Sequence, residues 1–283
     1  MPELPEVETI TNHLKPILQG RSFSTITTHT PTLRYPIELS KDRLLGIPIR
    51  SVWRRAKYII WELDNLECLV IHLGMTGGFH LQEADYRTGP HDRLEFCLDN
   101  GKLLYFQDPR KFGFIRQTRL SRHGESPAIL PPLGVEPLSD HFTQRQFATL
   151  LQGRRGPIKS TLLDQRVVAG MGNIYASEAL FHAQIHPAVP TNTLSSEATG
   201  RLHRAIRKVL RKAIHAGGTT FRDYHQLDGT EGKFTADLQV YNREGLSCYR
   251  CTATIQRLVI SGRSSFFCPG CQPAPHNPDS AER

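Results

Sequence analysis

Apolar residues at Leu4, Val7, Ile10, Leu14 and Ile17 stand three or four positions apart. That period places them on one face and predicts a helix from Leu4 to about Ile17, ended or kinked by Pro16. Between residues 22 and 120 the pattern turns to strands. IRSVWRRAKYIIWEL (49–63) and ECLVIHLGM (67–75) are rich in β-branched and aromatic residues. RLEFCL and KLLYFQ flank Asp99-Asn100-Gly101, and Asn-Gly is a strong hairpin signal. Short strands with one helix predict a β-sandwich or barrel. The segment 121–137, rich in Pro, Gly and Ser, reads as a linker and domain boundary. Helical patterns follow in FTQRQFATLLQG, PIKSTLLD, NIYASEALFHAQ with Asn173 as its cap, and TLSSEATGRLHRAIRKVLRKAIHAGG. Residues 219–240 are polar and read as a long mobile loop. TIQRLVI and SSFF, between cysteine pairs, predict a β-hairpin, and the tail after it reads as disordered.

The expected fold class is therefore α+β and multidomain. Residues 1–124 would form an N-terminal helix plus β-sandwich domain. Residues 125–137 would link it to a helical domain over 138–236. A four-cysteine zinc-finger hairpin over 237–272 and a tail over 273–283 complete the division. At 283 residues, 39% hydrophobic and 22% charged, the chain can bury substantial cores. No apolar run approaches the ~20 residues of a membrane span, and the N-terminus lacks the pattern of a secretory signal. The expectation is a cytoplasmic protein with no membrane partner.

Charge adds a partner class. The net charge is +8, with short basic runs at Arg54, Arg55 and Lys57, at Arg110 and Lys111, and at Arg154, Arg155 and Lys159. Such spacing favours a shaped basic surface, as a nucleic-acid partner requires, over a disordered basic arm. Of six cysteines, Cys68 and Cys97 sit alone in apolar stretches. Cys248, Cys251, Cys268 and Cys271 form C-x2-C-x16-C-x2-C, the spacing of a four-cysteine zinc site. Four thiolates leave no open coordination position, so the one expected Zn2+ is structural.

The start, MPELPEVET, carries candidate chemistry. Aminopeptidases generally remove Met1 before a small residue, which would free the secondary amine of Pro2. An α-amino group titrates at about 7.7–8.0, so a useful fraction is nucleophilic near neutrality, and the positive end of a helix close behind lowers that value further. Such an amine can form a Schiff base at a carbonyl-level carbon. Glu3 would act as general acid, and Glu6, within one helical turn, would position it.

The chain resembles the formamidopyrimidine-DNA glycosylase family, bifunctional DNA repair enzymes that excise oxidised purines. The resemblance covers residues 1–272 and rests on MPELPEVET, RRAKY, IHLGMTG, DPRKFG, GNIYASE, QVY and GRSSFFC, in that order. It implies a helix-two-turn-helix fold for the helical domain and double-stranded DNA with oxidised bases as partner, bound by a monomer. It implies that Pro2 attacks the sugar C1′ and that Lys57, placed on a strand facing the site, donates a proton during β-elimination. Arg263 would serve the second elimination from the tip of the zinc hairpin. Met75, Arg110 and Phe112 would fill the space of an extruded nucleotide, and His72, His91, Arg154, Lys159 and Asn173 would contact DNA. Two departures are QGRRG before PIK and Asn242 after QVY, where the family often has lysines and glycine. Two other readings stay open: an endonuclease VIII-type enzyme for oxidised pyrimidines, disfavoured by the Phe112 wedge, the PELPE start and the loop over 217–234, and a catalytically silent DNA-binding relative.

Overall fold

The computed structural model describes residues 1–83, 85–220, 227 and 229–274. The expected disordered tail lies outside the described residues from residue 275 on, as do residues 221–226 and 228 of the expected mobile loop. The chain divides into two compact units, Met1–Pro131 with Ala213–Thr235, and Pro132–Lys212 with the residues from Ala236 on.

The first unit opens with α1 (Leu4–Leu18), whose buried residues include Leu4, Val7, Ile10, Leu14 and Leu18. Pro5 sits in the first turn, where its missing N–H costs nothing. The helix runs through Pro16, which falls in its last turn. Eight strands follow: β1 (Phe23–Thr28), β2 (Ile49–Arg55), β3 (Tyr58–Leu63), β4 (Glu67–His72), β5 (Gly78–Gln82), β6 (Asp92–Leu98), β7 (Leu103–Gln107) and β8 (Phe114–Arg119). They form two antiparallel four-stranded sheets, β1-β6-β7-β5 and β2-β3-β4-β8, which makes a sandwich rather than a barrel. The Asn100-Gly101 turn joins β6 to β7, with Gly101 at φ 82°.

The side-chain period of two explains the nearly unbroken apolar run of β3 and β4. Ile59, Trp61, Leu63, Leu69 and Ile71 face the main core, together with Leu14, Phe23, Phe96 and Phe106. Ile60, Cys68 and Val70 face outward and are covered by Leu120 and by Ile129 and Leu130 of the Pro-rich segment. That segment therefore closes the outer face of a sheet as well as connecting domains. Fully burying one such side chain is worth about 1.5–3 kcal/mol.

The second unit holds α2 (Gln144–Leu151), α3 (Ile158–Leu163), α4 (Asn173–Ala183) and most of α5 (Ser196–His215). Its zinc hairpin is β9 (Gln256–Ile260) paired with β10 (Arg263–Phe267). Ser261 and Gly262 form the turn at φ 49° and 72°, the two positive values that a type I′ hairpin needs.

Two local expectations are corrected. Asn173 is the first residue of α4, and Gly172 occupies the cap position. The described part of 219–240 is largely ordered by pairing: Thr219 bridges Lys233, and Phe234 donates its N–H to the Gly218 carbonyl at 3.1 Å. Phe234, Leu238 and Val240 are buried. The α4 residue Glu178, also buried, accepts the N–H groups of Gln239, Val240 and Tyr241, each at 2.9 Å.

Candidate active site and zinc module

In the first unit, Pro2 and Glu3 stand at the start of α1 and Lys57 in the β2–β3 hairpin, two elements that pack together. Pro2, Glu3 and Glu6 are buried, while Met1 is exposed. Glu6 holds the start of α1 with both carboxylate oxygens. Oε2 accepts the Glu3 N–H at 2.8 Å, and Oε1 accepts the Thr219 N–H at 2.8 Å. The N-terminus is thereby tied to the segment after α5.

Lys57 lies in the two-residue turn between β2 and β3, not on a strand. Ala56 supplies the reversal at φ 53°, without a Gly or Asn to announce it. The lysine is only 7% exposed. Arg54 fixes this turn to the helix: its Nε pairs with the Glu8 carboxylate of α1, and another guanidinium nitrogen donates to the Ala56 carbonyl at 2.9 Å. Arg54 and Glu8 therefore set the placement of Lys57 relative to α1. Both lie inside quoted motifs, but only their pairing distinguishes them from the surrounding charges.

His72 ends β4, packed between Tyr58 and a stacked Phe114 ring. Burial, with Lys57 and Arg34 nearby, pushes its pKa down to about 4, so the ring is neutral at pH 7. Nδ1 accepts the Gly74 N–H at 3.0 Å, which leaves the ring proton on Nε2. His72 thus orders the turn that carries Met75.

Met75 and Phe112 are large apolar side chains in the open, 38% and 47% exposed. Their two turns are in backbone contact. A Cβ on Gly74, at φ 64°, would lie 2.4 Å from both the Phe112 carbonyl carbon and the Gly113 nitrogen. Asp108, fully buried, joins the turns through its carboxylate, which accepts from Thr76 Oγ1 and, at 2.8 Å, from the Gly113 N–H. Thr76 Oγ1 in turn accepts the Arg110 N–H at 3.2 Å. The Arg110 guanidinium lies 4.7 Å from the Phe112 ring centroid. His91 is exposed, and its carbonyl accepts the Asp108 N–H at 3.1 Å. Met75, Arg110, Phe112 and His91 are thus one cluster. Its organiser, Asp108, escaped the sequence reading because an Asp before Pro looks like an ordinary turn residue.

In the second unit, two expected DNA-binding residues converge on one carbonyl of the zinc hairpin. Lys159 is fully buried, and its Nζ lies 2.8 Å from both the Ser264 carbonyl and Ser265 Oγ. Asn173 Nδ2 donates to the same Ser264 carbonyl at 3.0 Å. Ser160 Oγ and Ser261 Oγ add a third anchor at 2.8 Å. The hairpin is thereby pinned one residue from Arg263, which is exposed at its tip. Lys159, expected on a phosphate by its charge, has its ammonium turned inward. Arg154 is half-exposed, with Nε on the Leu150 carbonyl at 2.9 Å and a guanidinium nitrogen 3.4 Å from Asp164.

The four sulfur atoms of Cys248, Cys251, Cys268 and Cys271 lie within 4.8 Å of one another. A tetrahedron with Zn–S bonds of ~2.3 Å needs thiolates about this close, and thiolates suit zinc. The Arg250 N–H points at Cys248 Sγ and the Cys271 N–H at Cys268 Sγ, each at 3.4 Å, as ligands ordered from outside should be. The residues fit one structural zinc held by these four cysteines.

Comparison with known proteins gives the family. Residues 1–115 match the formamidopyrimidine-DNA glycosylase N-terminal domain, 133–225 the H2TH domain of the same enzymes, and 245–274 a zinc finger found in FPG and IleRS. The formamidopyrimidine-DNA glycosylase of Rickettsia conorii is 45% identical over 273 residues, covering 96% of this chain and 99% of that one. The crystal structure of MutM (Fpg) from Thermus thermophilus superposes with a TM-score of 0.84 at 42% identity, over 96% of this chain and 98% of that one. A Lactococcus lactis Fpg in complex with DNA containing an abasic site gives a TM-score of 0.86 at 36% identity, over 96% of this chain and all of the other. With three matching domains in order and a relative this similar along nearly its whole length, the chain belongs to the formamidopyrimidine-DNA glycosylase family.

Proposed function

We propose that this protein is a base excision repair enzyme that removes oxidised purines from duplex DNA and then cleaves the strand at the abasic site. The observation that carries the reading is the burial of Pro2 and Glu3 at the start of α1 and of Lys57 in the turn of the hairpin that packs on α1, in a chain of this family. The reading requires that Met1 be removed. The Pro2 nitrogen then attacks the sugar C1′ as the damaged base leaves, and Glu3 supplies the proton taken up on ring opening. The resulting iminium acidifies the C2′ hydrogens. Loss of a C2′ proton breaks the 3′ C–O bond, with Lys57 supporting proton transfer, and a second elimination releases the 5′ phosphate with Arg263 as its cationic partner. Arg suits that place because it stays charged and donates bidentately to phosphate.

Extrusion of the damaged nucleotide requires something to fill the stack. Met75 and Phe112 are the apolar wedges in this reading, and Arg110 is the donor to the orphaned base. Lys159 and Asn173 act by positioning the hairpin, while His72, His91 and Arg154 line the DNA path. The zinc is structural and takes no part in the chemistry. A monomer in the bacterial cytoplasm completes the proposal. Every residue invoked comes from one chain, and among the described residues no helix is long and apolar enough to cross a membrane.

A panel of duplexes tests the activity. Cleavage at 8-oxoguanine well above cleavage at thymine glycol is expected. The reverse order would replace this reading with the endonuclease VIII type, and binding without cleavage would replace it with the silent relative.

A further inference from the structure

A strongly basic surface of the second unit plays no part in the chemistry above. Along α5, Arg204, Lys208, Arg211 and Lys212 are exposed at positions i, i+4, i+7 and i+8, which is one face of a helix. The opposite face is apolar, with Leu202, Ile206, Val209 and Leu210 buried. The cations span about 12 Å along the axis. A shallow cleft of about 450 Å3 on this face is lined by His203, Arg204, Arg207, Lys208 and Arg211, without one carboxylate. Arg207 is fixed there by the Ser139 carbonyl at 2.8 Å, and His203 by the Phe142 carbonyl at 2.7 Å.

The helix supports this charge at a cost. Arg204 and Lys208, Lys208 and Lys212, and Arg207 and Arg211 are like-charged pairs four residues apart, which weaken a helix. Among the described residues Lys212 alone of the four finds an acid, Asp237 at 2.6 Å. Arg204, Lys208 and Arg211 have no ion pair among the described residues. The field of Lys208 and Lys212 reaches His182 on α4, whose Nδ1 also faces Arg250 at 2.8 Å, so the patch continues onto the zinc knuckle. This patch is not the DNA contact already described. Within the second unit α4 serves as a ruler. Asn173 begins that helix and His182 lies nine residues on, about 13 Å along its axis.

We propose that the α5 stripe is a second polyanion-binding face, which takes the phosphate backbone of a further DNA segment while the N-terminal end of α4 and the zinc hairpin hold the first. The proposal rests on the DNA-binding reading above. Duplex DNA fits because it offers a continuous row of phosphates to a linear row of cations, and because DNA is already the partner of this chain. The consequence is direct transfer between segments: a second duplex docks before the first departs.

The test uses the full-length enzyme loaded with a short fluorescent lesion duplex and chased with rising amounts of unlabelled, lesion-free duplex. The release rate is expected to climb with competitor concentration. In R204Q/K208Q/R211Q it should become independent of competitor, and the salt slope of lesion-free duplex affinity should flatten by about 2.7, three cations at about 0.9 each. Single-turnover cleavage of the short lesion duplex should keep the wild-type rate in that variant. That rate is a separate readout: no cleavage by wild type would sink the enzyme reading alone. A release rate independent of competitor in wild type overturns the second face, whether or not the variant folds. Acceleration by polyglutamate but not by duplex also overturns it, and assigns the stripe to an acidic protein.

Discussion

The two regions that carry the chemistry are held in place by different means. Around α1 and the β2–β3 turn, an apolar core that includes Phe23, Trp61, Phe96 and Phe106 supports the scaffold, and buried carboxylates set the details. Glu6 fixes the helix start, and Asp108 fixes the two turns bearing Met75 and Phe112. The zinc hairpin has only a small cluster behind it, with Val240, Ile255 and Phe266 beside two of the cysteines. Its position depends on four thiols and on donors, Lys159 and Asn173, aimed at one carbonyl. The contrast teaches that the surroundings of Pro2, the nucleophile of the proposed reaction, rest on packing and buried carboxylates, whereas the hairpin bearing Arg263 rests on four thiols that fit a metal.

Zinc removal should separate the two regions most sharply. In Cys268→Ser, or in metal-free protein, the hairpin should lose its order and DNA affinity should fall by about a hundredfold, roughly 2.7 kcal/mol. The sandwich should keep its own thermal transition. Calorimetry and binding titrations check both, and unchanged affinity in metal-free protein would erase the contrast.

The largest effect of a single substitution on stability falls on the other region. Asp108→Ala leaves the half-buried donor of Thr76 and the buried donor of Gly113 unpaired and should cost about 3 kcal/mol in denaturant unfolding. Asp108→Asn, which keeps an acceptor, should cost less. Equal stability of the alanine variant and wild type would show that the two turns hold themselves.

Lys159→Met sharpens the picture of the hairpin. A positioning lysine and a phosphate-binding lysine both weaken DNA binding when lost, by about 1–2 kcal/mol. They differ in salt dependence. With the ammonium turned inward onto Ser264 and Ser265, the slope of log affinity against log salt should stay at the wild-type value. A slope flatter by about 0.9 would put Lys159 on a phosphate.

The last effect is one of pH. The His72 pKa lies near 4 in the folded protein and at its ordinary 6.5 in the unfolded chain, so the unfolded chain takes up the proton first as pH falls. Its contribution is whole above about pH 6.5 and is lost progressively towards pH 4, by about 3 kcal/mol. The stability difference between His72→Gln and wild type should vary over that window and nowhere else.

Elements governed by local period were legible in the sequence. The face of α1, the Asn-Gly turn and the cysteine spacing each announce themselves within a few residues. Features set by distant partners were not. Pro16 stays helical because the last turn tolerates it and Leu18 is drawn into the core. The turn at Ala56 and Lys57 interrupts what reads as one long strand, since neither residue is a turn former. The order of residues 230–241 comes from strand-like pairing with 216–220 and from Glu178, on a helix some sixty positions earlier. Of the candidate site, residue types and motifs were readable. The roles of Asp108, Arg54 and Glu8, and the inward turn of Lys159, needed coordinates, because a side chain's burial and partner are properties of the folded chain.

The nucleophile is best tested by borohydride reduction on an 8-oxoguanine duplex, followed by peptide mass mapping of the trapped protein. A crosslink at Pro2, on a chain from which Met1 is gone, is the predicted result. A crosslink at any other residue, or full strand cleavage by protein that keeps Met1, would contradict it.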